Sequence, residues 1–383
     1  MTGVQTCALP ICINDRVQPA DAAEEIYVGL DDLDSGCLHI RRWGKGSDVI
    51  GTKLRFRKGD MIFGRRRAYQ RKLAVAEVDG ICSAHAMVAR AKPEVVLPEF
   101  LPFLMMSDKF MSRAVEISVG SLSPTINWTT LKHEPFTLPP IDQQRRIAET
   151  LWAVDKSLQA CLAEGLAAEN MHKAVVRDFI STHLSDQAAL GDCLDEVQYG
   201  SSSKAILQPA PGLLPLLRIP NVIAGKVDFA DLVWLEPAEE FEKYRLVQGD
   251  VLIVRTNGNP DYVGRTAVYE GSEFDECLFA SYLIRLRPRL ARLLPCFLHQ
   301  MLQSESVKKE IRKHVKSSAG NYNLNTQGIR GLRIPLPPKK VQQDFLERLL
   351  SISSVVDAAA RHAEANRTLS SALVNNFFNG DTP

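Results

Sequence analysis

The sequence predicts an α+β fold with two mixed α/β domains in tandem, each followed by a long α-helix. Three observations carry this prediction. A Pro-Pro motif followed by Gln-Gln occurs twice, a heptad pattern of apolar residues follows each copy, and a Gly-Asp turn that opens an apolar strand precedes each copy. One module is therefore written twice, and an internal repeat constrains the fold more strongly than any local pattern.

The repeat divides the 383-residue chain into segments. A chain of this length favours two domains with connectors over a single core. We predict a foreign segment at 1–12, a first domain at 13–141, a first long helix at 142–185, a second domain at 186–338 and a second long helix at 339–383.

The first segment has no periodicity and no link to the rest of the chain. Its letters MTGVQTCALPI match the translation of a common sequencing-adapter read, with Cys12 at the junction. We therefore expect residues 1–12 to be foreign and the front of the first domain to be missing. A natural leader is the alternative. The second domain opens with residues 190–194, LGDCL, and the first domain has no counterpart.

Both domains show the same order of local signals. Lys58-Gly59-Asp60 and Gln248-Gly249-Asp250 each open an apolar strand, as expected of a Gly-Asp turn. Leu97-Pro98 and Leu294-Pro295 each start an amphipathic helix. Polar loops come next in both domains, and their side chains either serve a function or only shape the loop: Ser121, Ser123, Thr125 and Asn127, then Asn321, Tyr322, Asn323 and Asn325.

The two helices repeat in register at an offset of 198 residues, from Pro140 to Pro338 (338 − 140). Each carries a seam that alternates steps of four and three, running to Phe179 in the first helix and to Phe377 in the second. A helix of about 39 residues would be about 58 Å long, which suits a spacer. The candidates for helix pairing are Ile147, Leu151, Val154, Leu158, Val175, Phe345, Leu349, Ile352, Val356 and Leu373.

The composition excludes several classes of protein. Hydrophobic residues make up 45% of the chain and charged residues 24%, which is ordinary for a globular protein. No run approaches ~18 apolar residues, and no signal peptide is recognisable. The eight cysteines are scattered, which favours buried free thiols in a reducing cytoplasm. A net charge of +1 argues against indiscriminate nucleic-acid binding but leaves room for local basic patches.

These motifs resemble the specificity subunit of type I restriction–modification systems. The resemblance rests on the Gly-Asp strands, the proline–glutamine helix starts and the terminal Phe377-Phe378-Asn379-Gly380. In the second domain, residues 249–258 and 263–267 are similar to one variant of the target-recognition domain of that family. The likeness covers residues 13–383, and the missing front of domain one is the departure.

The resemblance implies a non-catalytic subunit with two target-recognition domains. Each domain would bind one half of a split site in double-stranded DNA, and the two helices, paired as an antiparallel coiled coil, would set the gap between the halves. Partners would be two methyltransferase subunits, which use S-adenosylmethionine to methylate adenine, and ATP-dependent restriction subunits that translocate and cut.

Motifs for catalysis are missing from the sequence. It contains no G-x-x-x-x-G-K-[ST], no H-E-x-x-H and no G-x-G-x-x-G after a strand. It also lacks the Asn-Pro-Pro-aromatic motif of adenine methyltransferases. We therefore predict that the chain is not an enzyme and binds no cofactor or metal of its own.

The first candidate DNA contacts lie in a basic run between Lys53 and Lys72, which holds nine basic residues and the single acid Asp60. Arginines placed directly after a strand can contact phosphates or a guanine edge. The alternative is that these arginines only face solvent at the end of a strand. The candidates are Arg65, Arg66, Arg67, Tyr69, Arg71 and Lys72.

The second domain offers two further sets of candidates. The loop with Arg255, Thr256, Asn257 and Asn259 could bind bases or phosphates, although Asn-Gly is also an ordinary turn. Lys308, Lys309, Arg312 and Lys313, with Lys316, have helical spacing and form either a phosphate-facing stripe or a solvated face.

Two other functions remain open from the sequence. The heptad seams would also suit a coiled-coil scaffold that joins protein partners without touching DNA. A self-sufficient enzyme is the third possibility, and the missing cofactor motifs argue against it.

Overall fold

The computed structural model of the chain describes residues 5–7, 11–22, 25–223, 225–274, 276–318 and 320–379. It divides into two compact units: unit 1 is 1–163 with 359–383, and unit 2 is 164–358. Each unit contains strands, short helices and part of both long helices. The predicted mixed α/β class and the long helices are confirmed.

Unit 1 is built on a four-stranded sheet of order β2-β10-β7-β8, a five-stranded sheet of order β3-β6-β9-β4-β5 and the pair β1-β11. Its strands are β1 (Gln5–Cys7), β2 (Ile11–Ile13), β3 (Arg16–Val17), β4 (Ile26–Val28), β5 (Gly44–Lys45), β6 (Lys53–Phe56), β7 (Met61–Phe63), β8 (Leu73–Val75), β9 (Gly80–Cys82), β10 (Met87–Arg90) and β11 (Phe136–Leu138). Its helices are α1 (Leu101–Met106), α2 (Asp108–Glu116), α3 (Trp128–Leu131), the first half of α4 (Ile141–Thr182) and the second half of α8 (Lys339–Asn379).

Unit 2 has a six-stranded sheet of order β13-β22-β18-β20-β16-β15, two three-stranded sheets, β17-β14-β21 and β19-β24-β23, and the pair β12-β25. Its strands are β12 (Gln187–Ala189), β13 (Leu194–Tyr199), β14 (Leu214–Leu217), β15 (Val222–Ile223), β16 (Gly225–Val227), β17 (Val233–Leu235), β18 (Val251–Val254), β19 (Thr256–Asn257), β20 (Thr266–Val268), β21 (Leu278–Phe279), β22 (Leu283–Pro288), β23 (Lys316–Ser318), β24 (Asn321–Asn323) and β25 (Arg333–Pro335). Its helices are α5 (Pro295–Gln303), α6 (Glu305–His314), α7 (Thr326–Gly331), the second half of α4 and the first half of α8.

A buried carboxylate fixes the start of strand β7 in unit 1. Gly59 has a positive φ of 89°, which glycine tolerates. The turn places the Asp60 carboxylate, 1% exposed, where it accepts a hydrogen bond of 2.8 Å from the Arg57 N–H. Arg90 on β10 donates to the same carboxylate through Nε at 2.6 Å and Nη2 at 2.8 Å, and this pairing raises the pKa of Arg90. The pair joins the turn to the neighbouring strand.

The same arrangement fixes the start of strand β18 in unit 2. Gly249 has a φ of 95°, and the fully buried Asp250 accepts from the Val247 N–H at 2.9 Å. Arg287 on β22 donates to Asp250 through Nε and Nη2, both at 2.8 Å. A carboxylate as buried as this is stable only when it is paired, so the Gly-Asp motif requires its arginine.

A buried glutamine attaches α4 to the sheet domain of unit 1. Gln144 is 1% exposed, and its Oε1 accepts from the Leu97 N–H at 2.9 Å. Its Nε2 donates to the carbonyls of Val95 and Pro139, both at 2.9 Å. The amide therefore holds main-chain atoms ahead of α1 and main-chain atoms at the start of α4 together.

Gln342 does the same for α8 in unit 2. It is fully buried, accepts from the Leu294 N–H at 3.0 Å, and donates to the carbonyls of Arg292 at 2.8 Å and Pro337 at 2.9 Å. The second glutamine of the first motif and the first glutamine of the second motif are thus equivalent, at the offset of 198 (342 − 144).

The predicted helix seam is buried or half-buried at all ten candidate pairing positions. Within unit 1, Asn366 Nδ2 donates to Ser157 Oγ at 3.2 Å. Within unit 2, the rings of Phe179 and Phe345 lie 4.1 Å apart. The prediction of Phe377 as a seam residue is wrong: Phe377 is 40% exposed, whereas Phe378 is buried. A straight helix drifts about 20° per heptad relative to a strict seven-residue repeat, which moves the buried position on by one residue after several heptads.

The segment that we predict to be foreign lies partly in strands. Gln5–Cys7 pairs with Phe136–Leu138, as Gln187–Ala189 pairs with Arg333–Pro335 in unit 2. Residues 1–4 and 8–10 lie outside the described residues. Unit 2 has a short 3-10 helix, Leu190–Cys193, between its corresponding strands. The foreign origin of 1–12 stays a prediction, since strand pairing uses main-chain atoms and tolerates many sequences.

The seven cysteines from Cys12 to Cys296 are free. Cys82, Cys193 and Cys277 are buried as expected, and burial raises the pKa of Cys82 and Cys277 to about 12. Cys296 corrects the expectation of buried thiols, because it is exposed at the start of α5. Among the described residues, no helix combines the length and the apolar character needed to cross a membrane.

A histidine holds the loop around residue 39 against α4 within unit 1. His39 Nε2 lies 2.7 Å from Asp155 Oδ2 on the helix, and Nδ1 lies 2.8 Å from Glu77 Oε1. Arg41 Nη2 donates to Gln159 Oε1 one turn further along, at 2.8 Å. The hydrogen bond to Asp155, supported by Glu77 and opposed by burial, raises the pKa of His39 to about 9. The ring is therefore a histidinium at neutral pH.

Replacing Gln342 with alanine is expected to lower the free energy of unfolding by about 2–4 kcal/mol, because three main-chain groups lose their partner. Gln343 is the adjacent exposed glutamine, and Gln343→Ala is the matched control. The control should change stability by no more than about 0.5 kcal/mol. Urea denaturation followed by tryptophan fluorescence measures both, and equally small effects would contradict the role of the buried amide.

The His39 contact should make stability fall as the pH rises. Its folded pKa of about 9 lies above the unfolded value near 6.5, so the stabilisation is complete below about 6.5 and is lost as the pH rises through about 9. Thermal unfolding across this window should show a fall that His39→Gln flattens. The control is His133→Gln, at an exposed position. An unchanged profile in His39→Gln would rule out the contact as its source.

Candidate nucleic-acid interface

Two loops of unit 1 meet beyond the end of strand β7. The Ile126 N–H donates to the Arg65 carbonyl at 3.0 Å, and the Arg67 N–H donates to the Pro124 carbonyl at 2.7 Å. Arg66 forms an antiparallel bridge with Thr125 between these bonds. The arginine loop and the polar loop singled out in the sequence thus form one surface, loop pair 1 (65–69 with 119–127).

Two arginines of loop pair 1 project into solvent. Arg66 and Arg67 are exposed, and Nη2 of each donates to Ser123 Oγ, at 3.2 and 3.3 Å. Because a serine hydroxyl is neutral, it leaves both charges uncompensated and able to contact a phosphate. Tyr69, 55% exposed, lies beside them.

The next two candidates are engaged inside unit 1. The Arg71 guanidinium bonds to the Asp108 carboxylate and to the Met106 carbonyl, and the bond to Asp108 is the main cause that lowers the pKa of that carboxyl. Lys72 donates to the Leu30 carbonyl at 2.6 Å. The geometry gives both residues a structural role, which their place in a basic run did not reveal.

Unit 2 builds the equivalent surface from a small sheet. Strand β19 pairs with β24, which pairs with β23. The Leu324 N–H donates to the Arg255 carbonyl at 2.8 Å, just as Ile126 donates to Arg65 in unit 1. We call this surface loop pair 2 (255–259 with 316–325).

The side chains of loop pair 2 are largely neutral. Thr256 is half-buried on β19. The side-chain oxygens of Asn257 and Asn259 accept from the N–H groups of Asn259 and Asp261, at 2.8 and 3.0 Å. Such bonds shape turns, which supports the ordinary-turn alternative for these oxygens.

Helix α6 carries the basic residues of this region. Lys309 and Arg312 are exposed, Lys308 is half-buried, and Lys313 pairs with Glu310 at 2.7 Å. Lys316, expected on the same helical face, lies on strand β23 after the helix has ended. Lys309 and Arg312 on the helix and Lys316 on β23 are therefore the three of these five basic residues that offer exposed charge with no ion pair among the described residues.

Two aromatic contacts beside loop pair 2 were not predicted from the sequence. The Arg255 guanidinium stacks over the Tyr199 ring at 4.6 Å from the centroid, and the Thr326 N–H donates to Tyr199 Oη at 3.1 Å. The position of Tyr199 at the end of a strand, directly before a glycine, was the available signal. Arg265 likewise stacks over Tyr262, at 3.6 Å.

The described part of the chain offers no group of three His, Cys, Asp or Glu side chains arranged to hold a metal ion.

Comparison with known proteins gives a consistent result. The family model "Type I restriction modification DNA specificity domain" matches residues 45–166. The EcoKI specificity subunit of Escherichia coli is 26% identical over 315 residues, which cover 77% of this chain and 66% of that protein. The StySPI specificity subunit of Salmonella potsdam is 24% identical over 77% of this chain and 67% of that protein.

Solved structures show the same fold. The type I restriction–modification S subunit of M. genitalium has a TM-score of 0.60 at 14% identity, covering 100% of this chain and 97% of that one. A chain from a type I R-M system studied for its complex assembly and conformational transition has a TM-score of 0.61 at 21% identity, covering 99% of this chain and 98% of that one.

Arg71 and Arg67 provide a test of which arginines are structural. Arg71→Ala is expected to lower the free energy of unfolding by about 1–3 kcal/mol, because it leaves Asp108 and Met106 without their partner. Both residues adopt left-handed backbone, with φ of 51° and 58°, so the backbone cost of alanine is matched. Arg67→Ala should cost no more than about 0.5 kcal/mol. Chemical denaturation gives both values, and a larger loss at Arg67 would reverse the assignment.

Proposed function

We propose that this chain, which belongs to the specificity subunits of type I restriction–modification systems, binds double-stranded DNA at two half-sites. One observation carries the proposal furthest. Both units present a paired polar loop at the same place in the same arrangement of strands, with different side chains on the two loops. Two loops that are held by equivalent strands but carry different side chains suit the recognition of two different sequences.

In unit 1 we assign phosphate contact to Arg66 and Arg67, with Tyr69 beside them and Arg65 at the base of the loop. Their charges are exposed or uncompensated, as contact with the DNA backbone requires. Arg71 and Lys72 support this loop from inside the unit.

In unit 2 the corresponding role falls to Arg255, Thr256, Asn257 and Asn259 for the bases, and to α6 for phosphates. Asn257 and Asn259 keep their amide N–H₂ groups as donors after their oxygens have closed the turns. Lys309 and Arg312 would contact the backbone, and Lys308 and Lys313 add to the local positive potential.

The target-recognition domains are 13–141 and 186–338 in this proposal, and the helices α4 (Ile141–Thr182) and α8 (Lys339–Asn379) pair as an antiparallel coiled coil. The contacts Ser157–Asn366 and Phe179–Phe345 support this pairing, because the partner's number falls as the residue number rises. Helices of 42 and 41 residues are about 60 Å long, enough to act as a spacer between half-sites.

The subunit is non-catalytic in this proposal and works in the cytoplasm. The matched region spans 66% of the Escherichia coli relative, which is named as the specificity subunit of a restriction enzyme. By extension, two methyltransferase subunits and the restriction subunits join this chain and carry out adenine methylation and cleavage. A coiled-coil scaffold without DNA binding is the competing function.

Arg66→Glu combined with Arg67→Glu separates the two functions. A DNA-binding subunit should lose affinity for duplex DNA, and the slope of log K against log salt should become shallower by about 2, one for each phosphate contact. The control, Arg145→Glu with Arg146→Glu, makes the same charge change at two exposed positions of α4. Fluorescence anisotropy over a range of salt concentrations measures the slopes.

A scaffold would show the same weak binding in all three proteins. Reconstitution with the cognate methyltransferase subunits provides the second measurement. Long-read sequencing should then detect methylated adenine in one discrete two-part motif, and its absence would refute the proposed function.

A further inference from the structure

A cavity of about 510 Å³ opens beside loop pair 1 in unit 1. Its walls come from the end of strand β2, from Arg65 and from the start of helix α3 at Asn127 and Trp128. The phosphate contacts assigned to loop pair 1 leave this space unused.

In unit 2 the equivalent arginine, Arg255, has an aromatic ring of the protein itself packed against its guanidinium. Strand pairing sets Cys12 opposite Ala89 in unit 1 and Val197 opposite Leu286 in unit 2. Cys12 is therefore equivalent to Val197, and Ala89 is equivalent to Leu286. Two residues further along, Asn14 in unit 1 therefore corresponds to Tyr199 in unit 2.

The ring of Tyr199 is what unit 1 lacks. In unit 2 it lies 4.6 Å from the Arg255 guanidinium, and its Oη accepts from the Thr326 N–H. In unit 1, Asn14 has no ring, and the equivalent guanidinium, that of Arg65, faces the cavity instead. The two arginines are otherwise held alike, since Arg65 Nη2 donates to the Ala84 carbonyl and Arg255 Nη1 to the Ser281 carbonyl.

The lining of the cavity carries positive charge, which suits a nucleotide. Arg16, Arg65 and His85 line the cavity, and none of the described lining residues is acidic. Arg65 Nε is buried and has no hydrogen-bond partner among the described residues, as is also true of Arg255 Nε in unit 2, and the Lys53 ammonium is already bonded to the Ile50 and Gly51 carbonyls. A flat ring would lie on the uncovered guanidinium plane of Arg65, and a negatively charged group would suit the basic side chains of the lining.

We propose that this cavity receives one nucleobase displaced from bound DNA, stacked on Arg65 as the Tyr199 ring stacks on Arg255. Guanidinium planes and aromatic rings are established platforms for unstacked bases. The neighbouring phosphate would lie toward Arg16. The inference rests on the proposed function and deepens it: unit 1 holds an extrahelical base where unit 2 covers the equivalent arginine with its own tyrosine.

Asn14→Tyr is the direct test, because it supplies the ring that unit 2 already accommodates. The probes are two 30-base-pair duplexes of one sequence, fully paired or with a single central mismatch that makes a base easier to displace. The wild-type chain is expected to bind the mismatched duplex about tenfold more tightly. Asn14→Tyr should bind both duplexes equally, and the matched control Asn14→Ala, which leaves the cavity open, should keep the preference.

Arg65→Lys provides a second variant if Asn14→Tyr does not fold. Lysine retains the charge but removes the plane, so the ratio of the two affinities should fall to about one. A preference that survives in Asn14→Tyr or in Arg65→Lys would overturn the inference, as would a wild-type chain with no preference.

Two further outcomes separate the possible ligands and the two proposals. Deoxynucleoside monophosphates that bind the wild-type chain when no mismatch preference exists would identify a free-nucleotide site and overturn the assignment to a DNA base. Salt-sensitive binding of both duplexes without preference would leave the proposed function standing and refute the cavity's role. Binding of neither duplex would refute the proposed function, and this inference with it.

Discussion

The position of both candidate reading surfaces depends on one buried carboxylate in each unit. Asp60 and Asp250 are shielded from water, and each must therefore keep its arginine, Arg90 or Arg287, on the neighbouring strand. That pairing sets where the strand after the turn begins. Five residues on (65 − 60 and 255 − 250), the chain leaves the strand at Arg65 or Arg255, where a main-chain bond from the opposite loop meets it. The two loops can differ in sequence because the turns and strands that support them are the same in both units.

The sequence predicted the parts of the fold that repeat. Gly-Asp turns and helix starts could be recognised from one sequence because a positive φ favours glycine and a helix entrance favours proline. The repeat could not show which groups each side chain contacts. Arg71 and Arg67 are four residues apart in one basic run, yet one bonds to Asp108 and the other projects into solvent. Phe377 was misplaced for a different reason, the drift of a real helix from a strict heptad.

The two loop pairs differ in chemistry as well as in sequence. Loop pair 1 presents uncompensated guanidinium groups, whereas loop pair 2 presents amides in tight turns, with Lys316 on β23 and the basic residues of α6 close to them in the sequence. Charged groups give affinity that depends on salt, and amides give directional bonds to base edges. The unit with the cavity beside Arg65 has exposed arginines on its loop, and in the other unit the equivalent Arg255 is covered by the Tyr199 ring. The two halves therefore suit different balances of affinity and selectivity.

The buried glutamines have a consequence for how such a gene can change. Gln144 and Gln342 bind backbone N–H and carbonyl groups, so neither recognises the identity of any side chain in the domain that it anchors. A domain of unrelated surface sequence would be accepted if its backbone took the same path ahead of its helix. Recombination within the stretches that encode the helices could thus exchange whole domains between related genes. Under the proposed function, one such event would give a new pair of half-sites, without stepwise redesign of either core.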